Sequence, residues 1–168
     1  MAGDKIPYVK TEKILYSVPE MKKALIDLKD MIVEVEKYGI NAGSKDITKF
    51  IGNKSVKNTN DADKKRICLE NLRSEIESIE SRLEYTNSKL IKIETDPYYK
   101  IIPLQYFEHR KQEVIARILG YDRSTIRKYR KKLINVLSVY FYPDEFTDLE
   151  KYEIAGIMTD DIILSHFY

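Results

Sequence analysis

The chain has 168 residues, 43% of them hydrophobic and 33% charged, with a formal net charge of +2. That balance describes a folded, helix-rich chain and excludes a disordered one, and six glycines with five prolines are too few for the many turns of an all-β fold. A single cysteine, Cys68, excludes an intrachain disulfide and a thiolate zinc site, and the two histidines, His109 and His166, argue against the common kinds of zinc site. No apolar run reaches membrane-spanning length, and the opening Met1-Ala2-Gly3-Asp4-Lys5 lacks the basic-then-apolar pattern of a signal peptide. The expected location is therefore the cytoplasm, with no membrane partner.

In chain order, the first periodic stretch is Met21, Leu25, Leu28, Ile32 and Val35, whose steps of 4, 3, 4 and 3 trace one seam of a helix. Ser17 and Glu20 stand in capping-box register, Pro19 lies just inside, and Gly39 follows the last apolar position. The spacing predicts a helix over about 18–37. Between about 39 and 60 the periodicity lapses into a flexible loop, with one short helix around Ile47. The second stretch is longer: Leu69, Leu72, Ile76, Ile79, Leu83, Thr86, Leu90 and Ile93, with Thr86 the only polar member. It predicts a helix over about 62–95, roughly 50 Å long. Such a seam needs a cover, either an antiparallel hairpin with the first helix or a dimeric coiled coil. Asp96-Pro97 stops this helix and starts the next. Further helices are expected at about 98–108, 111–119 and 123–141, the last broken by Pro143.

The expected fold class is all-α. A long-helix hairpin or coiled coil occupies about 1–95, a helix-turn-helix module about 96–143, and a tail, first acidic and then apolar at Ile162-Ile163-Leu164, about 144–168.

The charge is unevenly spread. Nine basic and two acidic residues lie between Arg110 and Lys132, a local balance of +7 that leaves the other 145 residues at −5. A concentrated basic patch on a mildly acidic body is the footprint of a polyanion site. Within it, Gln112 to Lys131 meets the demands of two helices packed steeply across a tight turn. Ala116 is small at the close approach, Gly120 suits a left-handed turn, and Asp122 suits a cap. Ile115, Leu119, Tyr121, Ile126 and Tyr129 are expected to face inward. The start of the second helix then offers Arg123, Ser124, Thr125, Arg127 and Lys128 to base edges. Arg130, Lys131 and Lys132 are expected on the phosphate backbone, with Lys111 and Gln112 gripping phosphate at the start of the first helix.

The run from Leu104 to Leu133 resembles the last region of sigma-70-type factors and, more narrowly, the phage and prophage late-gene regulators of the ArpU and RinA type. The likeness extends over about 11–142, through a Leu15-Tyr16-Ser17-Val18-Pro19 opening before an N-terminal helix, a long helix and the sigma-like module. It implies a sequence-specific regulator of phage late genes in a bacterial host, with double-stranded DNA as partner and RNA polymerase as a further candidate. Three features depart from it. Pro103 falls inside a helix that is usually uninterrupted, His109-Arg110 replaces a small-residue turn, and the tail after Pro143 has no counterpart.

Other chemistry finds little support. Glu75, Glu77, Glu80 and Glu84 fit the solvated face of the long helix, Asp160-Asp161 fit a cap, and Cys68 fits a small buried residue. Tyr98, Tyr99, Tyr106 and Phe107 suit the core of the module better than base stacking. No phosphate loop or nucleophile constellation is present, so neither an enzyme nor a cofactor is expected. A homodimer is favoured by the long seam. The alternatives are a ring-forming small-terminase-like packaging subunit and a protein-interaction module acting through the acidic body.

Overall fold

The computed structural model describes residues 6–40, 47–51 and 60–154, apart from the side chain of Thr48. Among the described residues every regular element is helical, as the all-α class requires: α1 (Ile6–Tyr38), α2 (Asp61–Leu90), α3 (Gln112–Leu119), α4 (Arg123–Phe141) and α5 (Asp148–Ile154). Residues 41–46 and 52–59 of the expected loop, and the Asp160-Asp161 pair and apolar run of the tail, lie outside the described residues. The chain forms two compact units, one from Met1–Val18 with Thr86–Tyr168 and one from Pro19–Tyr85.

In the unit Pro19–Tyr85, α1 and α2 run antiparallel. Lys29 pairs with Glu80 at 2.8 Å and Glu36 with Arg73 at 3.2 Å, the partner retreating along α2 as α1 advances. Met21, Leu28 and Val35 on α1 are buried, as are Cys68, Leu72, Ile76, Ile79 and Leu83 on α2. The two apolar seams cover each other, and the hairpin is the solution taken. Each buried aliphatic side chain contributes roughly 1.5–3 kcal/mol, against about 0–1 for an exposed ion pair, so the seam holds the hairpin and the ion pairs set its direction. Gly39, at φ 77°, ends α1 with its N–H on the Val35 carbonyl at 3.0 Å. The short element near Ile47 is a 3₁₀ turn, Ile47–Phe50, with Ile47 fully buried. Asn60 caps α2 by accepting the Asp63 N–H at 2.8 Å.

α1 starts at Ile6, well before the expected residue 18, and Pro19 lies inside it. Ser17 does not cap a helix there; its hydroxyl donates to the Ile14 carbonyl at 2.7 Å. Proline inside a helix forfeits one backbone bond, at a cost of about 3 kcal/mol. Burial offsets it: Tyr8, Thr11, Leu15 and Val18 are all buried, and Thr11 Oγ1 lies 3.0 Å from Ser138 Oγ on α4 in a buried hydrogen bond.

The unit that contains these first turns is organised on α4. Leu133, Ile134, Val136, Leu137 and Phe141 pack with Tyr8, Leu15, Leu90, Ile93, Ile102 and Tyr106. α2 gives way at Leu90 to a 3₁₀ turn, Ile91–Ile93, and Asp96 then accepts the Tyr98 N–H at 2.8 Å. In place of a regular helix over 98–108 the chain widens stepwise. Ile101 and Ile102 donate three residues back, Glu108 donates five back to Pro103 at 3.0 Å, and Arg110 donates to Leu104 at 2.9 Å. Pro103–Phe107 is thus a π-helical segment, an arrangement that absorbs a proline without an N–H. It closes at His109, whose φ of 52° makes the turn that a small residue would otherwise make. Ile101, Ile115 and Ile126 form a second buried cluster beneath α3 and α4, joined by Leu104, Ala116, Leu119 and Tyr129. Among the described residues no helix is long and apolar enough to cross a membrane.

Candidate nucleic-acid interface

α3 and α4 are joined by Gly120, Tyr121 and Asp122. Gly120 adopts φ 71° and ψ 26°, and the Ala116 carbonyl accepts both its N–H and that of Tyr121, the latter at 3.1 Å. A Cβ added at Gly120 would meet nothing within 4 Å, so backbone conformation alone asks for glycine there. Asp122 caps α4: Oδ1 accepts the Thr125 N–H at 2.9 Å and the Ser124 hydroxyl, and Oδ2 accepts the Thr125 hydroxyl at 2.7 Å. The Ser124 and Thr125 hydroxyls, in that order, hold the Asp122 carboxyl well below the usual carboxylate range.

The expected inward set is placed as follows. Ile115 and Ile126 are fully buried, Leu119 and Tyr129 partly so. Tyr121 is 40% exposed, because the turn carries it past the cluster to lie tilted against Tyr98, ring centroids 5.2 Å apart. Tyr98 itself stacks on Tyr129 at 3.4 Å.

On the opposite side of α4, Ser124, Arg127, Lys128, Lys131, Lys132 and Asn135 line one groove of about 630 Å³. Ser124, Lys128, Lys131 and Asn135 advance in helical steps along one stripe, with Arg127 and Lys132 beside it. The ammonium groups of Lys128 and Lys132 lie 5.8 and 5.5 Å from the Tyr129 ring centroid, so one partly buried aromatic steadies two cations.

Of the ten expected contacts, five do not line this groove: Lys111, Gln112, Arg123, Thr125 and Arg130. Arg123 pairs with Glu113 of α3 at 2.9 Å across the turn. Arg130 points to the other side of α4, where its guanidinium lies 3.5 Å from Glu12 and its side chain is only 24% exposed. Glu12 also accepts the Tyr106 hydroxyl at 2.5 Å, so Arg130 completes a partly buried trio rather than a phosphate-facing surface. The cause is angular: Arg130 sits next to the buried Leu133 and Ile134 stripe, not on the stripe that carries Lys128 and Lys131. Thr125 is half-buried within the cap. Lys111 is exposed at the extended position before α3, whose first turn carries no side-chain cap, and Gln112 opens the helix half-buried.

Comparison with family models, curated proteins and solved structures gives no match.

Chemically, the groove is a cationic trough with two short polar side chains, suited to a polyanion that carries hydrogen-bonding edges. Asn135 belongs to it and is legible in sequence, as the next step of the Ser124–Lys128–Lys131 stripe. Glu153 and Ile154 of α5 also line it and have no local signal, because only the docking of α5 on α4 brings them there. Among the described residues no group of three or more His, Cys, Asp and Glu side chains is arranged to hold a metal ion. Cys68 is buried within the hairpin, and burial pushes its thiol up.

Proposed function

We propose that α3 and α4 act as a helix-turn-helix that seats α4 in the major groove of double-stranded DNA, and that the chain is a sequence-specific transcriptional regulator. The observation that carries this reading is the alignment of Ser124, Arg127, Lys128, Lys131, Lys132 and Asn135 along one groove of the helix that follows a glycine turn. Arg127 and Lys128, near the amino end, suit base edges, while Lys131 and Lys132 suit phosphates. The hydroxyl protons of Ser124 and Thr125 go to Asp122, so these side chains offer acceptor oxygens to base amino groups rather than donors to phosphate. Arg130 drops out of the interface, and Arg123 joins it only by leaving Glu113.

The likeness to late-gene regulators of the ArpU and RinA type extends the proposal to phage or prophage genes, and contact with RNA polymerase rests on that likeness alone. The homodimer and the ring-forming packaging alternative both drew on an uncovered seam in α2. With Leu72, Ile76, Ile79 and Leu83 buried against α1, neither assembly is needed to cover it, and the regulatory reading rests on the groove of α4.

Selection of bound sequences from random duplex DNA, followed by anisotropy titration of the selected duplex, tests the proposal. Arg127→Ala is expected to weaken the selected duplex by about 1–3 kcal/mol and to relax preference at one base pair. Failure of the unaltered chain to retain any duplex at low salt would refute it.

A further inference from the structure

One wall of the groove belongs to neither α3 nor α4. Glu153 and Ile154, at the end of α5, line it together with Arg127, Lys128, Lys131 and Lys132. A carboxylate there competes for the same cations that a phosphate backbone would engage, and repels that backbone as it approaches. We propose that α5 is an autoinhibitory arm, holding the exposed Glu153 carboxylate on the wall of the groove, where it weakens the attraction of the cations for a duplex until the arm is displaced. This rests on the DNA-binding reading and deepens it by naming how the site is regulated.

The arm has the construction of an element that can be displaced. α5 has seven residues, too few for a helix to persist unsupported. Leu149 and Tyr152 on it remain exposed, while Ile154 packs against the main cluster and Phe146, just before the helix, is buried. Its first turn is set by a capping box, in which Glu150 accepts the Thr147 N–H at 2.9 Å and Thr147 Oγ1 accepts the Glu150 N–H at 3.3 Å. Lys151 is engaged with Asp148 at 3.2 Å, which leaves the acidic end of the helix uncompensated by its own lysine. The linker that precedes α5 is tied back by Glu145 to Lys10 at 2.8 Å, an attachment that does not involve α5 itself.

The test uses the full chain and a fluorescent duplex of random sequence, titrated by anisotropy at low salt. Glu153→Gln removes the carboxylate. Thr147→Val breaks the capping box without changing any charge. Glu94→Gln makes the same charge change at an exposed site outside the groove. Glu153→Gln and Thr147→Val are expected to tighten binding about three- to tenfold, and Glu94→Gln to change it far less. Equal, measurable binding by all four chains would overturn the arm and leave DNA binding standing. A gain shared by Glu153→Gln and Glu94→Gln, but not by Thr147→Val, would also overturn it, since net charge alone would then account for the effect. Absence of binding in every chain would overturn both readings.

Discussion

Arg130 and Asp122 are both chargeable residues of the basic segment, and both have partners within the fold. Arg130 lies beside Glu12, which also holds the Tyr106 hydroxyl. Arg130→Ala strands a partly buried carboxylate and is expected to cost about 1–3 kcal/mol in urea unfolding, while duplex affinity stays unchanged. A loss of affinity with unaltered stability would return Arg130 to the interface. Asp122 acts through its cap. Its folded-state pKa is depressed, so its contribution is complete above the unfolded carboxylate value of about 4 and is lost as pH falls through the lower folded value. The melting temperature is therefore expected to fall more steeply below about pH 4 in the unaltered chain than in Asp122→Asn, which keeps an acceptor oxygen but does not titrate. Parallel acid limbs would show that the cap does not carry the dependence.

Among the elements, those whose ends are marked by local chemistry were readable in sequence, and those decided by distant packing were not. α4 spans Arg123–Phe141 as expected, because Asp122 caps one end and Pro143 blocks the other. α1 was not so readable: Ser17, Pro19 and Glu20 look the same whether a helix starts there or passes through. What decides is the burial of Tyr8, Thr11 and Leu15, whose partners lie up to 127 residues away. Pro103 marked an irregularity, and the backbone resolved it as a π segment rather than a break. α5 was not expected in the tail: its capping box, Thr147 with Glu150, emerges only in the structure, and the position of Glu153 in the groove depends on a docking that no spacing encodes. That Ser124, Arg127, Lys128, Lys131 and Lys132 share one groove is legible from helical periodicity, whereas the pairing of Arg123 with Glu113 and of Arg130 with Glu12 needed those acidic partners to be placed. At the turn, Gly120→Ala is expected to cost about 1–2 kcal/mol, the left-handed backbone penalty alone, since the added methyl meets no neighbour. Thermal denaturation would measure it, and Gly120→Asn should cost less, because asparagine tolerates that conformation.

For the whole molecule, the question posed by the long seam was how many chains are needed to bury it. Ile76, Ile79 and Leu83 are each less than one-tenth exposed within a single chain, and the ion pairs that align α2 run to α1. A seam satisfied in this way gains nothing from a second copy, so its stability should obey unimolecular thermodynamics. Ile79→Ala is expected to lower stability by about 2–4 kcal/mol through the cavity it leaves. The urea midpoints of the unaltered and substituted chains should both hold steady across a wide range of protein concentration. A midpoint that climbs with concentration would mean that another chain shares the seam, and would revive the dimer and the ring. If the midpoints hold, any pairing of copies must come from DNA itself, through adjacent half-sites whose spacing the selected sequences would report.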